Sequence, residues 1–391
     1  DVFEHQTIAS LAAVAQTEAQ VQAEQGLLTG TAGLLPIQQW FFEQELEEPH
    51  HFNQSLLLKV DKKLSVDQLC LALSALIEHH DALRFAYHQK KGTWRQVYSE
   101  YSPEQSKLDV ISLKDLSGDV LATGITTVCD AYQQSLNLEK GELVKAALLQ
   151  TPEEERENRL LLVIHHLAVD GVSWRILLED LEQSLKAISL GKEIDLGPKS
   201  SSYRQWYEAL QHYTEAKAVR QQRYWQQVTK VTFTLPVDKT PKEASLVRDQ
   251  QHYKVSLCPS LTLALLTDVH QTYYTQVDDV LLAALAKTIS KWTKQEQVII
   301  ALEGHGRENV SAEVDTSRTV GWFTSLYPVL LKLDNDGTAS GLLQSVKEQL
   351  RQVPGKGLGY GVLRYLHPNE EVRESLAGQH FEIVFNYLGQ L

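Results

Sequence analysis

Apolar residues along this chain follow two alternating patterns: stripes with a helical period of about 3.6 and short unbroken runs of strand length. Ile8, Leu11, Ala12 and Ala15 share one face of an amphipathic helix from Asp1 to about Ala19. A Gln/Glu/Ala-rich stretch and the Thr- and Gly-containing segment from Gly26 to Gly33 then read as a linker. Pro36-Ile37-Gln38-Gln39-Trp40-Phe41-Phe42 marks entry into a folded body. Ser55 to Val60 predicts a strand, and Ser65 to His80 a helix with Leu69, Leu73, Leu76 and Ile77 inward. Leu160 to Ile164 is continuously apolar, as expected of a strand covered on both faces. It runs into His165-His166-Leu167-Ala168-Val169-Asp170-Gly171. A helix over Val172 to Ser189 follows, with Ile176, Leu177, Leu181, Leu185 and Ile188 on one side.

A Gly/Pro/Ser segment from Gly191 to Ser202 separates the halves, so the boundary between two lobes is placed at 195/196. The second half repeats the mixture: a helix over Asp278 to Trp292, a strand over Gln297 to Leu302 and a loop from Glu303 to Glu308. A strand over Ser325 to Leu331, a helix near Leu342 to Gln352, a loop from Pro354 to Gly361 and a final strand over Phe381 to Phe385 complete it. Two comparable halves of this kind predict two related α/β lobes, 34–195 and 196–391.

Composition narrows the picture. The 391 residues are 43% hydrophobic, enough for one or two substantial cores. Acidic residues outnumber basic ones, 50 against 37, for a formal charge of −13. No stretch interleaves Lys and Arg with aromatics, which argues against nucleic acid as a partner. No apolar run nears the roughly 18 residues of a membrane span, and no signal peptide opens the chain, so a cytoplasmic protein is expected. Cys70, Cys129 and Cys258 are sparse and odd in number, which favours buried free thiols over a disulfide framework or a thiolate metal site. The absence of Met and the start at Asp1 read as a piece cut from a longer polypeptide.

The strongest chemical signal is His165-His166-x-x-x-Asp170-Gly171. Adjacent residues on a strand face opposite sides, so one imidazole is expected to enter a cleft and the other to enter packing. Imidazole suits proton transfer near neutrality. The plainer alternative is a pair of structural histidines with a turn aspartate. A metal site has less support, because no third ligand follows at a recognisable interval. Glu303-Gly304-His305-Gly306-Arg307-Glu308 places a carboxylate at the mouth of a buried strand, where partial desolvation would equip it for proton transfer. A salt-bridged loop satisfying Glu303, Arg307 and Glu308 internally is the alternative. Pro354-x-x-Gly357-x-Gly359-Tyr360-Gly361 lacks the strand-then-helix order of a phosphate loop and reads as a flexible, channel-lining loop. Asn386-Tyr387-Leu388-Gly389 supplies either turn formers or cleft-lining donors. Ser173 lacks the G-x-S-x-G context of a hydrolase nucleophile.

Together these residues resemble the epimerization domains of non-ribosomal peptide synthetases, within the condensation-domain superfamily. The likeness runs through nearly all of the chain. It includes His79-His80-Asp81-Ala82-Leu83-Arg84 and the segment Arg318-Thr319-Val320-Gly321-Trp322-Phe323-Thr324-Ser325-Leu326-Tyr327-Pro328-Val329. The histidine element is shared with peptide-forming condensation domains. Its Val172-Ser173-Trp174 continuation, the Glu303 to Glu308 loop and the Asn386 to Gly389 end are similar to the epimerization branch. Residues 1–19 resemble the closing helix of a peptidyl carrier domain, with 20–33 as linker.

The resemblance implies an α/β fold of two chloramphenicol-acetyltransferase-like lobes in a V with a central channel. It also implies inversion of the α-carbon of an aminoacyl or peptidyl thioester. No tightly bound cofactor is implied; substrate arrives on the phosphopantetheine arm of a carrier domain. Catalysis is expected from His166 of the first lobe and Glu303 of the second, since inversion through a planar carbanion needs proton removal on one face and delivery on the other. Removal by Glu303 with His166 on the opposite face is the expected order. Tyr387 and backbone amides near Gly171 are expected donors to the enolate oxygen. His165 and Asp170 are expected to be structural, Asp170 paired with Arg84 or Arg307. Trp174, Asn386, Gly359 and Tyr360 are expected to line the channel. Partners would be the upstream carrier and adenylation domains and a downstream condensation domain, the excised domain being a monomer. The rivals are a condensation enzyme joining two carrier-bound substrates, and a non-catalytic docking module.

Overall fold

A computed structural model of the chain describes residues 22–102, 107–239, 246, 249–333, 338–378, 381–387 and 389. The helix expected over residues 1–19 lies outside them. The chain divides into two compact units: residues up to 215 together with 305–324, and residues 216–304 together with 325–391.

The first unit is built on a four-stranded sheet ordered β2-β7-β6-β5, from β2 (Asn53–Asp61), β5 (Leu108–Ser112), β6 (Val144–Gln150) and β7 (Glu157–His165). β7 runs antiparallel to both neighbours, while β5 and β6 are parallel. Its side chains alternate: Leu161 and Val163 join Leu113, Leu121, Leu136, Ala147 and Leu149 in one hydrophobic cluster. Leu160, Leu162 and Ile164 are buried on the other face, which explains why this run carries no polar positions.

Helix α2 (Val66–His79) is capped by Ser65, whose hydroxyl accepts from the Gln68 amide while Gln68 Oε1 accepts from the Ser65 amide. Its predicted stripe of Leu69, Leu73, Leu76 and Ile77 is buried. Helix α4 (Gly171–Ser189) packs on α2 and also buries Asp180. That carboxylate is held by His80 Nε2 at 2.8 Å and by Arg318 Nη2 at 2.5 Å.

Two boundaries differ from expectation. The stretch expected as linker contains β1 (Gly30–Ala32), antiparallel to β4 (Thr93–Tyr98), because Leu28 and Ala32 are apolar enough to be buried. Residues beyond 195 stay with the first unit through α5 (Tyr203–Ala216): Tyr203 lies edge-on to Phe85 and Phe323, and Trp206 is 6.3 Å from the Phe323 ring.

The second unit carries a sheet ordered β10-β8-β9, from β8 (Gln297–Gly304), β9 (Ser325–Lys332) and β10 (Val384–Phe385), with β10 parallel to β8. Helices α9 (Val277–Thr293) and α10 (Ala339–Arg351) contribute Leu282, Ala286, Leu343 and Val346 to its buried side chains. The loop expected over Pro354 to Gly361 is helical instead. A tight turn at Pro354–Gly357 passes directly into α11 (Leu358–Tyr365). Gly357 makes this junction with φ +86°, and a Cβ there would lie 2.1 Å from the Tyr327 ring.

Gly359 and Tyr360 therefore pack inside this unit. A Cβ at Gly359 would meet Gln221 Oε1 at 1.9 Å, and the Tyr360 ring lies 5.6 Å from that of Trp225. The cysteines are free, with Cys70 and Cys129 half-buried, but Cys258 is exposed rather than buried because it precedes a helix with no buried residues. Among the described residues no helix is long and apolar enough to cross a membrane, and no group of three His, Cys, Asp or Glu could hold a metal ion.

Candidate active site

β7 ends at His165, and the chain turns at once into a short 3-10 segment, His166–Ala168. His165 stays on the buried side of the strand. Its Nδ1 accepts from the Leu167 amide at 3.1 Å, so Nε2 must carry the proton that bonds the Pro49 carbonyl at 2.9 Å. The ring is neutral with both nitrogens occupied. Burial pulls its pKa down to about 3, against a partial upward pull from the Pro49 carbonyl. His165 is thus a structural member of the pair.

This has a consequence for acid stability. The folded pKa lies below the ordinary 6.5, so on acidification the unfolded chain takes up this proton first. The contribution is complete above pH 6.5 and is lost between pH 6.5 and about 3. The expected slope is about 1.4 kcal/mol per pH unit, roughly 5 kcal/mol across the window. Urea unfolding of wild type and His165→Gln across that range should show the slope reduced by one proton in the variant. Equal slopes would contradict it.

His166 faces the other way and is half-buried. Its Nδ1 lies 2.7 Å from the Val169 carbonyl, which can only accept, so the proton sits on Nδ1 and Nε2 presents a lone pair. Nε2 lies 3.1 Å from the amide nitrogen of Gln54 on β2. The ring stacks on Phe52, centroids 5.5 Å apart, and its centroid lies 4.3 Å from that of the Trp322 ring. Burial lowers its pKa, opposed by the Val169 hydrogen bond and the Asp170 charge.

Asp170 starts α4. Its Oδ1 accepts from the Ser173 amide at 2.7 Å, a helix N-cap, and its Oδ2 accepts from the Phe323 amide at 3.1 Å. Arg307 Nη2 lies 3.2 Å and 3.3 Å from the two oxygens. The guanidinium also donates to the Thr316 and Thr319 carbonyls and to Ser173 Oγ, and lies 3.9 Å from the Phe323 ring centroid. Of the two arginines expected as partners, Arg307 is the one present. Arg84 is fully buried elsewhere and pairs with Asp81, three residues earlier on the same turn, and with the Ser99 carbonyl. The Asp170 network ties residues 305–324 to the start of α4 and sets Trp322 beside His166.

Trp174, one turn into α4, donates its indole N–H to Gln54 Oε1 at 2.8 Å. It is a buried partner of the histidine's neighbour. Gly171 has open space where a side chain would be.

Glu303 belongs to the second unit, at the end of β8. Val298 to Ala301 are buried and Glu303 emerges exposed. Parallel pairing sets Phe385 opposite Leu302, which brings the next residue, Asn386, beside Glu303. Asn386 Nδ2 donates to Glu303 Oε2 at 2.6 Å. Desolvation pushes the carboxyl's pKa up. Arg307 binds Asp170, and Glu308 lies 3.1 Å from His305. Of the three residues weighed from sequence as an internal salt bridge, Arg307 is paired outside the loop, with Asp170. Tyr387 is exposed beyond Asn386. Gln54, Phe52 and the role of Trp322 escaped the sequence reading; Trp322 lay in a recognised segment, but nothing in its spacing pointed to His166.

The condensation-domain family matches residues 29–391. The chain is 41% identical over its whole length to one of the linear gramicidin synthase polypeptides of Brevibacillus parabrevis, covering 8% of that protein. It is 40% identical over its whole length to surfactin synthase subunit 2 of Bacillus subtilis, covering 11%. It thus spans about a tenth of the length of these relatives. Among solved structures it is similar to the epimerization domain from the third module of tyrocidine synthetase B, with TM-score 0.84 and 35% identity over 94% of this chain and 82% of that one. That likeness carries the expected α/β fold of chloramphenicol-acetyltransferase-like lobes.

Proposed function

The chain belongs to the condensation-domain family, and on that premise we propose that it is an epimerization domain inverting the α-carbon of a carrier-bound aminoacyl or peptidyl thioester. The observation that carries this reading is Glu303. A carboxyl with a raised pKa, oriented by Asn386 at a strand end, is a second acid/base group in the chain besides His166. Amide formation between two carrier-bound substrates has no need of it, whereas stereochemical inversion does. The likeness to a solved epimerization domain supports the same reading.

The thioester acidifies the α-hydrogen, so no cofactor is required as an electron sink. The base takes the proton, the C–H electron pair moves into an enolate, and a second group delivers a proton to the opposite face. One group must therefore start bare and the other protonated. His166 presents the unprotonated nitrogen, Nε2, which accepts from the Gln54 amide. Glu303, oriented by the Asn386 amide, is the second group. On this proposal His166 Nε2 takes the proton from the L-epimer and Glu303 serves the opposite face, the reverse of the order expected from sequence. Tyr387 and amides near Gly171 remain the proposed donors to the enolate oxygen. The phosphopantetheine arm of an upstream carrier domain would deliver the substrate, and a downstream condensation domain would take the product.

The test is an aminoacyl-loaded carrier protein incubated with the domain in deuterated water, followed by chiral analysis and deuterium at Cα. Deuterium incorporation with a mixed D/L pool is expected. Dipeptide formation with a second loaded carrier and no exchange would make it a condensation enzyme; neither result would make it a docking module.

A further inference from the structure

Gln54 is not part of any element that sequence singled out, yet its side-chain amide lies against the reactive nitrogen of His166. Its position is set by strand pairing. β2 and β7 are in register with Gln54 opposite Ile164, and the Phe52 carbonyl accepts from the His166 amide at 2.8 Å as the ladder ends. The side chain therefore stands beside the imidazole on the same edge of the sheet.

An amide can turn either end toward a histidine, but here its orientation is determined. Trp174 Nε1–H is only a donor, so the Gln54 atom 2.8 Å from it must be the oxygen. The NH₂ then faces His166 Nε2 at 3.1 Å, and His166 can receive it only through a lone pair. The Val169 carbonyl at Nδ1 demands that same tautomer. Trp174, Gln54, His166 and Val169 form a directed chain in which every hydrogen points the same way.

We propose that Gln54, oriented by Trp174, is a positioning residue that keeps Nε2 of His166 a proton acceptor and makes the imidazolium formed in the reaction a strong acid. The inference rests on the reading of His166 as the base. For Nε2 to take the substrate's α-proton, the Gln54 N–H must release its single lone pair, and the amide cannot reverse to accept the new N–H without leaving the Trp174 N–H without an acceptor. The proton is returned readily when the reaction runs back from the D-epimer, so neither direction is trapped. The charged group acting on His166 from α4 is Asp170, whose charge is met by Arg307 of the 305–324 segment. His165 beside it is neutral, and β2 offers Phe52 and Gln54, which carry no charge.

The experiment is a long-range proton–nitrogen correlation spectrum of the ¹⁵N-histidine-labelled domain across pH, the His166 signals being assigned from a His166→Gln sample. In wild type, Nδ1 should carry the proton and Nε2 should be bare near neutrality. Gln54→Glu turns the partner into an acceptor while still accepting from Trp174, and should raise the His166 midpoint by at least about one unit, a tenfold gain in proton affinity. Trp174→Phe, which frees the amide to reverse, should raise it by a smaller amount and keeps the test available if the glutamate variant folds poorly. An unchanged midpoint in both, or a wild-type proton on Nε2, overturns the proposal. The acid limb of kcat/KM should shift with the midpoint. If the midpoint moves and the limb does not, Gln54 controls His166 as inferred but His166 is not the base.

Discussion

Glu303→Gln and His166→Gln should each lower the rate of inversion by about 10²–10⁴-fold, the usual contribution of a positioned acid or base. The sharper expectation is that they fail differently. With Glu303 replaced, His166 Nε2 can still remove and return the proton on one face. The L-epimer should then exchange its α-hydrogen for deuterium without inverting. With His166 replaced, that exchange should vanish, while the D-epimer should still exchange through the carboxyl. Single-turnover exchange on separately loaded L- and D-aminoacyl carriers distinguishes the two patterns. The reversed pattern would restore the carboxylate as first base, and full inversion by both variants would remove these residues from the chemistry. Circular dichroism should show little change, since His166 is half-buried and Glu303 exposed, so neither replacement empties a core position.

Arg307→Ala should destabilise the first unit by about 3–5 kcal/mol, the usual result of leaving one member of a buried ion pair alone. Both partners are deeply buried, with side-chain exposure of 7% and 6%. The loss is compounded because Arg307 also serves the Thr316 and Thr319 carbonyls and Ser173 Oγ, which no alanine can reach. Arg307→Lys keeps the charge but lacks the planar fork, and should recover only part of the stability. A cycle with Asp170→Asn should show strong coupling, the double variant losing less than the sum. Urea unfolding followed by tryptophan fluorescence provides the measurement, and a loss below about 1 kcal/mol would show the pair to be incidental. Activity should fall as well, because residues 305–324 hold Trp322 at 4.3 Å from the His166 ring.

Both expectations depend on what local pattern could and could not convey. The buried strand ending at His165, the stripe of α2, the helix after Asp170 and the strand ending near Glu303 were all legible, because each is set by neighbours two to four positions away. The capping role of Asp170 went unread, although an acidic residue just before a helix is a signal of the same local kind. The Pro354 to Gly361 segment was misread for the converse reason. Its glycines suggest a loop, but Gly357 and Gly359 are there because Tyr327 and Gln221 press against the backbone, and those residues lie far off in the chain.

The sequence by itself determined which side chains could move a proton and on which elements they sit. Tertiary structure alone decided their protonation. His165 and His166 are neighbours with the same chemistry, yet one carries its proton on Nε2 toward the Pro49 carbonyl and the other on Nδ1 toward the Val169 carbonyl, with Nε2 accepting from Gln54. Gln54 stands 112 positions from His166, and Arg307 stands 137 from Asp170. Hydrogen-bond direction and desolvation act over a few ångströms of space, whatever the separation along the chain, so only folding brings them to bear.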